Sequence, residues 1–311
     1  GTVIFNGSSS QTIDSKSNFY RVTISNSDAS LQRSTTISNT LTINSGGSLD
    51  INGNNLTAST LVNNGNLQMS GSETLSITTK DTDSGTITYD GTATGLIYGN
   101  TYYNLALNTS GTITLNSNLD VNGSLTITDG TLNAGNNDIN VARNWTNNDS
   151  FVSGTGKVTF DGTSVIVTGG TGDSSDFYDV TLGGTSAAQS TNAIAIDNDF
   201  EITSSGTWYT NCLAMNISGT STVGSGSIAT TLSPTLTFNP TDSSTGFTSS
   251  SNLTLTFNTA MQNTDNSTLT DSNVDSLITL KDTNSSGSDI GFDATINLGK
   301  KIITINPDNN F

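Results

Sequence analysis

Apolar residues in this chain come in pairs separated by one polar residue: Ile113/Leu115, Leu119/Val121, Leu125/Ile127, Leu132/Ala134, Ile139/Val141 and Val158/Phe160. The first members of the first five pairs lie 6, 6, 7 and 7 residues apart. Two apolar residues flanking one polar residue point to the same face of a strand. Turn chemistry such as Asn122-Gly123 and Asp129-Gly130 stands between the pairs. The same rhythm appears earlier, at Leu41/Ile43, Leu49/Ile51 and Leu56. A chain that bends this often makes short flat sides, and three sides close a coil of ~20 residues, the size of a parallel β-helix rung. One pair per side fills the interior, and the alternating Thr, Ser and Asn face solvent. Residues 1–230 are therefore expected to form a parallel β-helix (β-solenoid) of ~11 coils, ~50 Å long at the usual spacing between strands. A meander of hairpins is the rival, since Asn-Gly and Asp-Gly also mark hairpin turns. Strands this short make poor hairpins but adequate solenoid sides.

A longer repeat overlies the short one. Gly1-Thr2-Val3-Ile4-Phe5-Asn6-Gly7 returns as Gly85-Thr86-Ile87-Thr88-Tyr89-Asp90-Gly91 and as Gly156-Lys157-Val158-Thr159-Phe160-Asp161-Gly162. An aromatic pair and a strand follow each copy: Phe19-Tyr20 before Arg21-Val22-Thr23-Ile24, Tyr102-Tyr103 before Asn104-Leu105, and Phe177-Tyr178 before Asp179-Val180. The interval from Gly85 to Gly156 is shorter than that from Gly1 to Gly85, so the long period is not constant.

Composition supports strands over helix. Asp outnumbers Glu by 24 to 2, and Ser, Thr, Asn and Gly abound; these residues weaken helices, while Thr, Val and Ile suit pleated strands. The alternation also argues against disorder, which has no reason to keep it. The formal net charge of −17 excludes the basic footprint that nucleic-acid binding requires. It is instead the charge of a soluble surface. No apolar stretch is long enough to span a membrane in this segment, and no signal peptide is visible. Cys212 stands alone in the apolar run Cys212-Leu213-Ala214-Met215, which predicts a buried, inert thiol.

Residues 231–311 read as a second domain. All three prolines (Pro234, Pro240 and Pro307) lie there, with longer alternating strands at Leu236-Thr237-Phe238, Leu253-Thr254-Leu255-Thr256-Phe257, Leu277-Ile278-Thr279-Leu280, Ile290-Gly291-Phe292 and Ile302-Ile303-Thr304-Ile305. That spacing suits an antiparallel β-sandwich. The stretch from Pro240 to Gly246, the strand from Leu253 to Phe257 followed by Met261, then Ile278-Thr279-Leu280-Lys281-Asp282 and Ile302-Ile303-Thr304-Ile305-Asn306-Pro307 resemble the bacterial Ig-like domain of S-layer and other surface proteins. The resemblance runs from Pro240 to Pro307 and implies a spacer or assembly module. Domains of that kind have a further strand after the position of Pro307, so this one is expected to lack its last strand. An excerpted chain explains this ending, as does a strand donated by a neighbouring subunit. Gly1 likewise opens inside a repeat unit, which points to a window on a larger protein. The repeats of residues 1–225, Gly-x-Val-x-Phe-Asn/Asp-Gly followed by Phe-Tyr-x-Val-Thr-Ile, resemble long adhesin-like proteins of bacterial surfaces.

Candidate chemistry is sparse. The chain has no His, which removes Ser-His-Asp and Cys-His systems and His-based metal sites. A lyase could still use Lys80, Arg143 or Lys157 as a base, but each reads more simply as a solvated charge. The densest acidic groups, Asp81/Asp83, Asp173/Asp176/Asp179 and Asp197/Asp199, are candidates for paired-carboxylate glycoside hydrolysis or for Ca²⁺. Asp81, Asp83, Asp173, Asp176, Asp197 and Asp199 are the Ca²⁺ candidates; Asp as an ordinary turn residue is the simpler reading, and no cofactor is expected. In the aromatic pairs Phe19/Tyr20, Tyr102/Tyr103 and Phe177/Tyr178 one ring should cap the core while the other faces a loop, a neighbouring subunit or a sugar. Thr-x-Thr runs such as Thr40-Leu41-Thr42 and Thr86-Ile87-Thr88 raise an ice-binding face, and Asn-x-Ser/Thr sequons such as Asn55-Leu56-Thr57 raise glycosylation. The reading that follows is an extracellular structural protein of a microbial cell surface, not an enzyme: a filament, sheath, S-layer or stalk segment that associates with itself or with neighbouring surface proteins. An adhesin that binds a glycan or a host surface is the alternative, and a polysaccharide-acting β-helix enzyme is a minor one.

Overall fold

A computed structural model describes residues 1–169, 176–183, 187–203, 205–229, 236–239, 252–257, 261, 268–281 and 287–308. The chain divides into two compact units, Gly1–Thr230 and Thr231–Phe311. The first is a parallel β-solenoid of about 11 turns. One sheet of thirteen strands runs from Gln11–Ile13 to Ser227–Ala229. A five-stranded sheet extends from Thr2–Phe5 to Leu75–Thr79, and a seven-stranded sheet from Thr101–Tyr102 to Ser221–Val223. Neighbouring strands pair in parallel, as at Thr2↔Arg21, Thr86↔Asn104 and Lys157↔Asp179. Parallel pairing needs a full circuit between partners, which a hairpin meander does not supply. Some corners lie inside strands. Thr35–Ile43 shifts register between Ile37 and Thr40, so one strand serves two sides.

The interior is what the apolar pairs imply. All twelve residues of the six pairs are buried, from Ile113 and Leu115 to Val158 and Phe160. Burial at ~25 cal/mol per Å² of apolar surface makes this column the main stabilising term. Turn length varies along the stack. The circuit from Ser164 to its stacking partner Ala187 is longer than the circuit from Gln11 to Ala29. Large rings fill both short and long turns. Trp145 meets Phe151 edge-on at 4.8 Å, and Trp208 packs against Phe160 at 5.7 Å and Phe200 at 5.5 Å. The Trp208 indole N–H donates to Ser190 Oγ at 2.8 Å, which satisfies the one polar group this ring brings into the core.

Corners are stitched by asparagine. Asn104 Nδ2 donates to Gly85 O at 3.0 Å in the turn below, and its Oδ1 accepts the Ser124 N–H at 2.9 Å from the turn above. Asn63, Asn137 and Asn211 make the same kind of donation to Thr86 O, Leu115 O and Ser190 O. A carbonyl has two lone pairs, so the amide side chain can add a donor where the chain bends, as at Gly85 O, which also accepts the Asn104 N–H at 3.2 Å. The glycine closing the long motif has a steric reason. A Cβ on Gly162 would sit 1.5 Å from Ala142 O, and one on Gly91 would sit 2.7 Å from Ser70 Cα.

The long repeat is not the structural repeat. In each copy the two halves stack as successive turns in register, Phe5 over Ile24, Tyr89 over Leu107 and Phe160 over Leu182. The second copy lies in the thirteen-stranded sheet, while the first and third lie off it. The intervals from Gly1 to Gly85 and from Gly85 to Gly156 are not whole numbers of turns, so the motif returns on a different side.

Among its described residues the second unit carries one antiparallel sheet, in the order Leu236–Asn239, Leu253–Phe257, Ile302–Pro307, Phe292–Ile296. The stretch Leu277-Ile278-Thr279-Leu280, expected as a strand, is reached through a short helix, Asp271–Val274, and a 3-10 turn, Asp275–Leu277. The turn forms because Asn273 Oδ1 accepts the Thr270 N–H at 2.8 Å. Two aspartates of this segment then reach the outer strand: Asp275 Oδ1 accepts the Ala294 N–H at 2.8 Å and Asp271 Oδ1 accepts the Ile296 N–H at 2.7 Å. The turn from 240 to 246 and residue 282, part of the Ig-like resemblance, lie outside the described residues.

The Gly162→Ala variant should lose about 1–3 kcal/mol in urea unfolding, because backbone must move to admit the methyl group. Gly95→Ala, with nothing within 4 Å of its Cβ position, should change stability by less than about 0.5 kcal/mol.

Candidate functional site

The aromatic pairs split between core and surface. Tyr102 and Phe177 are fully buried, Phe19 is half-buried, and Tyr20 is 51% exposed. Tyr103 and Tyr178 are half-buried. The pairs occupy corners, where consecutive residues face inward and outward. Arginines cover two of the outer rings. Arg21 lies 5.0 Å from the Tyr20 ring centre and donates through Nε to Asn39 Oδ1 at 3.1 Å; Arg143 lies 5.9 Å from the Tyr103 ring. Such contacts contribute about 0.5–1 kcal/mol at exposed sites.

The acidic groups serve the backbone. Asp81 Oδ2 accepts the Asn63 N–H at 2.6 Å, and its Oδ1 accepts the N–H groups of Asp83 and Ser84. Asp81, hydrogen-bonded to it, pushes the Asp83 carboxyl above its ordinary value. Asp199 Oδ1 accepts the Thr220 N–H at 2.7 Å, and Asp179 Oδ1 accepts the Asp199 N–H at 2.9 Å. Asp197 is exposed, Asp176 is half-buried beside Phe177, and Asp173 lies outside the described residues. Among the described residues no three His, Cys, Asp or Glu side chains gather closely enough to hold a metal ion. Of the candidate bases, Lys80 donates to Tyr98 O and sits 5.2 Å from the Tyr98 ring, with burial lowering its pKa.

Lys80 borders a polar cluster that the sequence did not single out. Tyr89, Tyr98 and Tyr102 are all fully buried. The Tyr89 and Tyr102 hydroxyls are 3.1 Å apart, Tyr89 Oη accepts the Tyr98 N–H at 2.9 Å, and the Tyr98 and Tyr102 hydroxyls donate to Asp81 O and Gly99 O. Burial pushes the Tyr89 phenol up to about 12 and raises Tyr98 and Tyr102 as well. The cluster fills the level between the last strand of the five-stranded sheet, Leu75–Thr79, and the first strand of the seven-stranded sheet, which Tyr102 itself ends. Its hydroxyls replace ladder bonds there. In the sequence Tyr89 and Tyr98 look like ordinary apolar positions.

A shallow groove crosses three turns of the five-stranded sheet, and Thr36, Ser38, Thr57, Ser59, Ser76 and Thr78 line it. Thr36, Thr57 and Ser76 stack in register. The column was hidden in the sequence because turn length varies and Ser stands in for Thr. Cys212, expected in the core, is exposed. Asn211 and Cys212 both take positive φ, 53° and 61°, and this bend carries the thiol outward despite its apolar neighbours. Among the described residues no helix is long and apolar enough to cross a membrane.

Set against protein families, curated proteins and solved structures, the chain matches none.

Truncating an inner ring should cost far more than truncating an outer one. Tyr102→Ala should lose about 3–5 kcal/mol in chemical unfolding, and Tyr20→Ala no more than about 1 kcal/mol, the range of its contact with Arg21. The tyrosine cluster also sets an alkaline limit. Below pH 10 Tyr89 is protonated whether folded or unfolded. Between 10 and about 12 the unfolded chain gives up this proton while the fold retains it. Stability therefore falls there by about 1.4 kcal/mol per pH unit from Tyr89 alone. Unfolding free energies measured from pH 9 to 12 should fall at least this steeply, since Tyr98 and Tyr102 act in the same direction, and Tyr89→Phe should lessen the slope by about 1.4 kcal/mol per pH unit.

Proposed function

We propose that this chain is an extracellular structural protein of a microbial cell surface, a segment of a fibre, sheath, S-layer or stalk. The observation that carries the reading is the thirteen-stranded parallel sheet that continues through the whole first unit. Such a sheet makes a stiff element whose length grows by adding turns, each needing only its neighbours. The outward residues are mostly Thr, Ser and Asn, and the net charge of −17 keeps so long a β surface soluble. The second unit fits the same role as a spacer. Its antiparallel sheet, together with the Leu253–Phe257 and Ile302–Pro307 strands, supports the S-layer-type Ig-like reading. No catalytic step belongs to this function.

Adhesion is the second reading, supported by Tyr20. A half-exposed ring beside Arg21 is suited to stacking on a sugar face.

Electron microscopy of the purified protein without added ligand tests the proposal. Regular fibres or sheets with a constant subunit repeat are expected. Isolated rods that bind a glycan array, with binding lost in Tyr20→Ala, would replace assembly by adhesion. Cleavage of an acidic polysaccharide would overturn both readings.

A further inference from the structure

Glu73 is one of two glutamates in the chain. It is 6% exposed, and neither carboxylate oxygen has a hydrogen-bond partner. The two ion pairs among the described residues, Arg33 with Asp14 and Lys281 with Asp289, lie elsewhere in the chain. An ionised carboxylate buried in this way is strongly disfavoured unless something of opposite charge meets it.

Its surroundings add negative charge. Glu73 lies in the corner that follows strand Asn66–Met69. The next turn stacks on this corner: Tyr89 pairs with Met69, and the Asp90 N–H donates to Met69 O at 3.0 Å. The two corners are tightly apposed, since a Cβ on Gly71 would sit 2.3 Å from Ala93 Cβ. In the turn below, Asp50 pairs with Gln68. Asp50, Glu73 and Asp90 thus belong to three successive turns. Burial, then the charges of Asp50 and Glu73, push the Asp90 carboxyl above its ordinary value.

We propose that this corner binds one divalent cation of the calcium class, with Glu73 as its buried ligand and Asp90 as its second carboxylate. Calcium accepts six to eight oxygen ligands in flexible geometry. Three carboxylates do not converge on one point here, so the remaining oxygens come from carbonyls, hydroxyls and water at the two corners. A chain without His suits a hard, oxygen-loving cation better than a transition metal. The cation would brace the solenoid at the level where the five-stranded sheet gives out, because its last strand, Leu75–Thr79, begins just after Glu73.

Metal-stripped protein would be titrated with Tb³⁺, read by tyrosine-sensitised luminescence, and then with Ca²⁺ as competitor. Melting would be followed with Ca²⁺, with Mg²⁺ and with chelator. One saturable site per chain is expected, with melting raised about 5 °C at a hundredfold Ca²⁺ excess over the dissociation constant. Glu73→Gln should remove that site and the Ca²⁺-dependent shift while leaving the circular dichroism spectrum unchanged, and Asp90→Asn should weaken binding at least tenfold. Three results would overturn the proposal: wild-type affinity in Glu73→Gln, only non-saturating and salt-sensitive binding in the wild type, or a Glu73→Gln variant that melts higher than a wild type indifferent to Ca²⁺. The last would mean that the burial of Glu73 serves no cation.

Discussion

Backbone hydrogen bonds between successive turns are the interaction on which everything else in the first unit depends. A single turn has about twenty residues and cannot satisfy its own N–H and C=O groups. Stacked on its neighbours it satisfies most of them, and the same stacking closes the apolar pairs into one continuous column from Ile13 to Trp208. Corner asparagines such as Asn104 complete the ladder where the strands bend. Side-chain ladders then run outside it, as where Ser48 Oγ donates to Gln68 Oε1 and Thr88 Oγ1 to Asn66 Oδ1 across adjacent turns. Each layer relies on neighbouring turns being in register.

Where the register falters, the chain changes chemistry. Between Thr79 and Thr101 the parallel ladder on one side stops, and buried tyrosine hydroxyls take up the carbonyls of Asp81 and Gly99. The turns also vary in length, from the circuit between Gln11 and Ala29 to the longer one between Ser164 and Ala187. The fold thus tolerates variation in turn length, and it leaves Trp145 Nε1 and Asn147 Nδ2 buried without a hydrogen-bond partner.

Most of the solenoid was legible because its rule is local. A pair such as Leu119/Val121 declares an inward face within three residues, and a turn dipeptide declares the corner. What was not legible depends on neighbours. The long motif reads as a unit in sequence, yet its meaning is one turn resting on the next. Cys212 sits among apolar residues and still points outward, because two left-handed residues redirect the backbone. Leu277-Ile278-Thr279-Leu280 alternates like a strand, but Thr270 and Asn273 start a helical turn just ahead of it. Glu73 and the tyrosine cluster draw their interest from burial, which no single position announces. In the second unit, Asp271 and Asp275 occupy the outer strand's N–H groups, so carboxylates stand where another strand would otherwise add.

The mismatch between the long motif and the turn has a consequence for valency. Tyr20 and Tyr178 follow residues that bridge to Ile37 and Ile196, whereas Tyr103 sits between strands of the seven- and thirteen-stranded sheets. Successive copies of one sequence element therefore look out in different directions around the axis. A flat surface laid along the rod could engage only some of these rings at once and would gain little avidity from their repetition. Partners that approach from several sides, as in a bundle of parallel rods, could use them all.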